Sequence, residues 1–343
     1  MNSSSTIPTT TDASVIYATY FDANYLDRGL ALYQSLQRHS GSFVLWVLCL
    51  DTETEQILRE LDLPFMRLLP LAELEQLDPQ LLATKADRLK VEYYWTCGPS
   101  FLLHLYRILP NAQFITYVDS DIYFFHPPEL LQQKLGGNSI LVIDHGYIDS
   151  RGGGRFNVGL LIFRRNSQTQ ACLTRWRDQC LEWCFDRFEQ GKHGDQGYLD
   201  EWPNLYDVTI LAPNAAGLAP WNILQTPVRL DPGGLHTDQG PLYFYHFARI
   251  RRVNRWVYEL HDYRFHRTTL SLVVRRHLYR PYALALSRAE AQIRSVGGKI
   301  RTGSAHNVNT PAEAIRKKRA GDVPLTSLAR YQRFMFVIGP WAL

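Results

Sequence analysis

The sequence predicts an α/β protein: an open, mixed, mainly parallel sheet flanked by helices, followed by a basic, mostly helical extension. Three observations carry this prediction. Stretches rich in β-formers alternate with amphipathic ones from Ser14 onward. The second such stretch, "FVLWVLCL" from Phe43 to Leu50, is apolar throughout, as expected of a parallel strand covered on both faces. In mid-chain, "FITYVDSDIYFFHPP" ends an apolar strand in two carboxylates, Asp119 and Asp121, at the strand end where open α/β sheets place ligands.

"SVIYATY" alternates and reads as the first strand. A helix follows from about Tyr25 to His39, with Leu26, Leu30, Tyr33 and Leu36 at helical spacing, and it stops near Gly41. "FVLWVLCLD" is the second strand. "TETEQILRELDL" is a short helix capped by Thr52 or Thr54, and "FMRLLPL" is the third strand. The segment from Lys85 to Leu109 reads as a helix interrupted near Gly98–Pro99. After the strand Phe114–Val118 come "NSILVID", a loop with "SRGGGR", the strand "FNVGLLIFRR" and a long amphipathic helix. "LYDVTILAP" and "LYFYHFA" complete the strands.

The hydrophobic fraction of 45% supplies a sizeable core and excludes a disordered chain. The start, "MNSSSTIPTTTDAS", lacks the basic and apolar regions of a secretory leader. The longest clean apolar run has eight residues, against about 20 for a membrane-spanning helix, so a soluble or peripheral protein is expected. Five cysteines show no CxxC or Cys/His clustering. Cys180 and Cys184 fall on one predicted helix face, as a metal or redox pair or as reduced, half-buried thiols, the latter being the expectation. Charge is lopsided. Residues 1–248 hold 18 Lys+Arg and 28 Asp+Glu, a net −10, whereas 249–343 hold 19 and 5, a net +14.

Carboxylates at the mouth of an apolar strand are costly to desolvate without a partner. Asp119 and Asp121 suit a divalent ion that also holds phosphate oxygens. Asp-Ser-Asp is also good turn chemistry. A haloacid dehalogenase-type phosphatase, with Asp119 as nucleophile, is a third reading; its motif closes the first strand of the sheet, whereas here several strands precede.

Five motifs in order resemble the GT-A glycosyltransferases, and most closely their family 8-like (glycogenin-like) branch. They are "IYATYFDANYLDRGLALYQSL", the strand ending in Asp119-Ser120-Asp121, "FNVGLLIF", "HGDQGYLDEW" and "YHFARIRR". The match spans residues 14–250, leaving 251–343 as the basic extension with a flexible segment near 297–311. The resemblance implies a sugar transferred from a nucleotide-diphosphate donor, UDP-linked by preference, with retention of configuration. It implies Mn²⁺ or Mg²⁺ on Asp119, Asp121 and His246. It places Ala18, Thr19, Tyr20 and Tyr25 around the base, Ser120 among the donor-binding residues, Asn157 and Gly159 at the donor sugar, and Asp195 and Gln196 at the reaction centre. For the donor-binding cation before the DxD, Lys85, Arg88 and Lys90 compete, with Arg88 chosen. The late motif departs from the family: "HFARIRR" has arginines where a glycine and a lysine are usual, so Arg249, Arg251 or Arg252 takes the phosphate-gripping role.

Each residue has a plainer reading beside this one. Tyr20, Tyr25 and His246 could be core, Asn157 could be satisfied by backbone, and Asp195 and Gln196 could cap a helix. Trp221 and Asn222, in "LAPWNI", are expected at the acceptor, since an exposed Trp stacks on sugar C–H faces; a buried anchor is the alternative. An inverting enzyme would need a base, with Asp144 or Asp195 as candidates. A catalytically silent nucleotide-sugar-binding protein is the rival of a different class. The acceptor is expected to be a glycan, a lipid-linked sugar or a protein, in bacterial glycan biosynthesis. The protein is expected in the cytoplasm, with the basic extension, including "RKKR" (316–319), touching anionic membrane at the inner face. Nucleic acid is not an expected partner.

Overall fold

β1 (Val15–Phe21), β2 (Phe43–Cys49) and β3 (Met66–Pro70) pair in parallel, joined by α1 (Leu26–His39) and α2 (Thr52–Leu61). The computed structural model describes residues 15–146, 154–254, 257–260, 270–301 and 335–337. β4 (Phe114–Val118) lies parallel to β1 on its other side. β5 (Ile122–Phe124) leaves the sheet, and β6 (Ile140–Asp144), β7 (Phe156–Arg164) and β8 (Val208–Leu211) complete it. The order is β3-β2-β1-β4-β7-β6-β8, with β7 antiparallel to both neighbours. This is the open, mixed, mainly parallel sheet that the sequence predicts.

Alternating side chains feed the two faces of the sheet. Ile16, Ala18, Ile115 and Tyr117 pack on one side with the helices α3 (Lys90–Ile108) and α4 (Ser167–Glu182), through Phe101, Leu105 and Trp176. Tyr17, Leu45, Val47 and Val118 pack on the other with Leu30 and Leu36 of α1. Asx side chains cap two of the helices. Asp51, not Thr52 or Thr54, accepts from Thr54 N–H at 2.8 Å, and Asn166 accepts from Thr169 N–H at 2.9 Å.

Further local expectations are corrected. The helix predicted from Lys85 begins at Lys90, where Glu92 reaches back to accept from Leu89 N–H at 2.7 Å. It then runs unbroken through Pro99. The proline removes one backbone donor, and the surrounding turns are fully buried at Cys97, Phe101, Leu102 and Leu105, so packing outweighs the lost bond. Gly98 admits the Tyr20 ring, which would stand 3.1 Å from an added Cβ. Cys180 and Cys184 do not share a helix face, because α4 ends at Glu182 and Trp183 is extended. All five cysteines are free and buried, not half-buried.

A small second sheet positions the late histidine of the site. The strand Phe244–His246 pairs antiparallel with β5, His246 opposite Ile122, and parallel with Gly217–Leu218. Beyond it, the helix Arg280–Ser295 packs against α1 and shares a core with Tyr123, Tyr245 and Phe247; Tyr282 stacks on Phe247 at 3.8 Å. Among the described residues no helix is long and apolar enough to cross a membrane. "RKKR", residues 302–311 of the segment expected near 297–311 and residues 150–153 of the "SRGGGR" loop lie outside the described residues.

Phe124 is fully buried, with Phe244 at 6.0 Å and Tyr17 at 6.3 Å between ring centroids. Phe124→Ala should therefore cost about 3–5 kcal/mol, read as a lower urea midpoint at unchanged slope.

Candidate active site

β4 delivers Asp119 to the carboxyl edge of the sheet. The Asp119 N–H donates to the Gly159 carbonyl at 2.8 Å, and a tight turn closes with Ile122 N–H on the Asp119 carbonyl at 3.1 Å. The Phe247 N–H then donates to the Asp121 carbonyl at 2.8 Å. These main-chain bonds bring His246 onto the two aspartates. Its Nε2 lies 3.0 Å from Asp121 Oδ1 and 3.6 Å from Asp119 Oδ2. The Tyr117 hydroxyl donates to Asp119 Oδ1 at 2.6 Å and fixes that carboxylate.

The electrostatics follow from burial and mutual charge. Burial pushes the Asp119 carboxyl up, and Asp121 adds to this while His246 opposes it. Asp121 is held down: burial works against its charge, but His246, by charge and hydrogen bond, and Arg28 prevail. His246 is held up by the two carboxylates against its own burial. Asp195, fully buried, is pushed up to about 7 by burial and by the charge of Asp119.

The three side chains fit a divalent ion. Their ligand atoms all lie within 4.8 Å of one another, and ligands bound at about 2.1 Å stand ~3 Å apart when adjacent on an octahedron. Two carboxylates and one imidazole form a mixed O/N set. His246 Nδ1, turned toward Gly159, has no hydrogen-bond partner among the described residues. An added Cβ at Gly159 would meet Asn157 Oδ1 at 2.5 Å and His246 Nδ1 at 2.9 Å.

A cavity of about 490 Å³ opens above this cluster, lined by Tyr20, Asp22, Tyr25, Lys90, Tyr94 and Trp95 together with Asp119, Ser120, Asp121 and His246. Ala18 and Thr19 lie wholly inside the sheet and do not reach it. Asn157 and Gly159 sit behind His246: Asn157 Oδ1 accepts from Gly159 N–H at 2.7 Å. Gln196 Oε1 accepts from Val158 N–H at 3.3 Å. Asp195 is no side-chain cap; its carboxylate faces the amides of residues 195 and 196. Trp221 stands edge-on to His246 at 5.4 Å. Its Nε1–H and the Asn222 side-chain amide both donate to the His145 carbonyl at 3.1 Å.

Arg88 does not join the cavity. Its guanidinium packs on the Phe185 ring at 4.0 Å and donates to the Leu181 carbonyl at 3.1 Å. Lys85 pairs with Glu75 at 2.6 Å. Lys90 is the competitor that lines the cavity, 3.0 Å from Asp22. Of the late arginines, Arg252 is ion-paired with buried Glu290 at 2.7 Å, and the side chain of Arg251 lies outside the described residues. Asp144 is engaged by Arg155 Nε and Gly146 N–H, both at 2.9 Å.

Sequence reasoning missed Asp22, Trp95 and His145. Asp22 directly follows the first strand, the same strand-end signal that singled out Asp119. Trp95 sits on a helix whose register the misplaced start obscured. His145 follows the last residue of β6. Its Nδ1–H donates to the Gly154 carbonyl at 3.1 Å and its Nε2 accepts from Asn157 Nδ2 at 3.0 Å.

No family model matches the chain. The uncharacterized protein YfnF of Bacillus subtilis strain 168 is 32% identical over 254 residues, covering 69% of this chain and 82% of YfnF. The uncharacterized protein YfnD of the same strain is 28% identical over 295 residues, 81% of this chain and 91% of YfnD. Among solved structures, the galactosyltransferase LgtC with donor and acceptor sugar analogues has a TM-score of 0.47 at 14% identity, over 82% of this chain and 96% of that one. A likeness at that level says nothing of activity.

Gly159→Ala should displace His246 and weaken Mn²⁺ binding at least tenfold, or ~1.4 kcal/mol, in a paramagnetic resonance titration. Burial holds the His145 imidazole down at about 4, below its ordinary 6.5, so between these values the unfolded chain binds the extra proton. Stability is then full above pH 6.5 and is lost as pH falls toward 4. His145→Asn should remove up to about 3 kcal/mol of that acid loss, seen by comparing urea unfolding at pH 4.5 and 7.5.

Proposed function

This chain belongs to the family of Bacillus subtilis YfnF, and we propose that it is a metal-dependent glycosyltransferase, moving a sugar from a nucleotide-diphosphate sugar to a glycan, lipid-linked or protein acceptor. The observation that carries this reading is the convergence of Asp119, Asp121 and His246 at the floor of the cavity. A phosphatase nucleophile would not be tied to a tyrosine hydroxyl and a histidine while a second carboxylate shares the histidine.

In this proposal Asp119, Asp121 and His246 hold Mn²⁺, or Mg²⁺ in its place. Bound there, the ion supplies positive charge to the departing diphosphate. Tyr20 and Tyr25 border the nucleoside, with UDP favoured, and Lys90 faces the donor phosphates in the role expected of Arg88. Asn157 orients the donor sugar, with its amide fixed by His145 and by the Gly159 N–H. Asp195 and Gln196 border the reaction centre, and Gln196 is positioned by the Val158 N–H. Trp221 stands at the acceptor side, while Asn222 acts behind it through His145. Retention of configuration requires no general base, which accords with Asp144 being engaged by Arg155. The basic C-terminal region rests on anionic lipid at the cytoplasmic face.

Thermal shifts with UDP, ADP, GDP and CDP, each with and without Mn²⁺, test this. UDP with Mn²⁺ should stabilise most, and EDTA should abolish the gain. Donor hydrolysis should fall by about 10²-fold or more in Asp121→Asn. Absence of nucleotide stabilisation, or turnover indifferent to EDTA, would sink the proposal.

A further inference from the structure

The hairpin at 185–194 is held more firmly than a surface turn requires. Glu189 N–H donates to the Lys192 carbonyl at 3.1 Å, Lys192 N–H to the Glu189 carbonyl at 2.9 Å, and Gly194 N–H to the Phe185 carbonyl at 3.0 Å. The Asp186 N–H is tied to Glu92 Oε1 at 2.9 Å. Gln190, Gly191 and Gly194 all adopt left-handed backbone, with φ of 50°, 80° and 51°. Gln190 does so with a side chain, at a cost of about 1 kcal/mol or more, and such strain gathers at ligand clamps.

What this hairpin presents is aromatic. Phe188 is 65% exposed and stacks on His193, with ring centroids 4.5 Å apart and 29° between planes. The His193 ring lies 6.2 Å from Trp95, which lines the cavity above Asp119 and Asp121. Gly194 allows this approach, since a Cβ there would stand 3.1 Å from the Trp95 ring. A row of three rings thus runs from solvent to the wall of the cavity that Asp119 and Asp121 also line, and the chain passes from His193 and Gly194 directly into Asp195.

Resting on the glycosyltransferase reading, we infer that Phe188, His193 and Trp95 form the acceptor ledge, and that the acceptor is a carbohydrate chain of at least two sugar units. A pyranose offers an apolar C–H face to an aromatic ring while its hydroxyls stay in water. The terminal sugar lies on Trp95 and the preceding one toward His193 and Phe188. The terminal hydroxyl oxygen then forms a bond to the anomeric carbon as the bond from that carbon to the diphosphate breaks. The electron pair leaves with the diphosphate, which also takes the hydroxyl proton. Continuity of the ledge with the cavity favours a glycan over a protein or a bare lipid.

The test is calorimetric titration of the full chain with maltose, cellobiose, lactose and chitobiose, and with their monosaccharides, each with and without UDP and Mn²⁺. For at least one pair, the disaccharide should bind wild type five-fold or more tightly than its monosaccharide. Phe188→Ala should erase that increment and Phe188→Tyr should keep it. Stabilisation of wild type by UDP and Mn²⁺ is read separately, so a failed donor reading is told apart from a failed ledge. No disaccharide bound more tightly than its monosaccharide, or an increment intact in Phe188→Ala, overturns the inference.

Discussion

One antiparallel register governs the site: His246 opposite Ile122. Without it, half-buried Asp119 and buried Asp121 would lack the imidazole that offsets their desolvation. With it, an imidazole from late in the chain stands 3.0 Å from Asp121. The register is itself anchored on the far side, where Phe124, Phe244 and Tyr245 are buried and the helix Arg280–Ser295 closes the core. Arg28, at the start of α1, reaches the Ile250 carbonyl at 2.8 Å and ties the same segment back to the first strand-helix unit.

The reversal of β7 is the second condition. A parallel strand in that place would bring its last residues to the ligand edge. Because β7 runs against β4, its first residues arrive there instead, so Asn157 and Gly159 lie beside His246. The Asn-x-Gly spacing then has a physical sense. Asn157 folds back onto the Gly159 amide, and the missing Cβ leaves space for the imidazole.

Most of the sheet was legible because its strands are apolar runs between amphipathic helices, and such periodicity survives without tertiary information. The Asp119–Asp121 pair was legible because charge at an apolar strand end is conspicuous. Pro99 misled, since a local rule about backbone donors says nothing of how tightly a helix is packed. The choice among Lys85, Arg88 and Lys90 was not legible, because three cations within six residues differ only in which way the chain turns before Lys90. Arg88 is drawn inward by the Phe185 ring and the Leu181 carbonyl, contacts made by a segment far along the sequence. His145 carried no motif; its importance lies in partners at 154, 157, 221 and 222 that only folding assembles.

The floor of the cavity is held by amides and carbonyls: Asp119 N–H to Gly159, Ile122 N–H to Asp119, Phe247 N–H to Asp121. Bonds of this kind do not read side chains. The side chains of Ser120, between Asp119 and Ile122, and of Val158, next to Gly159, can therefore drift without moving the ligand atoms, whereas Gly159 cannot. A lineage built on this floor would be free to revise what its cavity admits while the floor itself stayed in place.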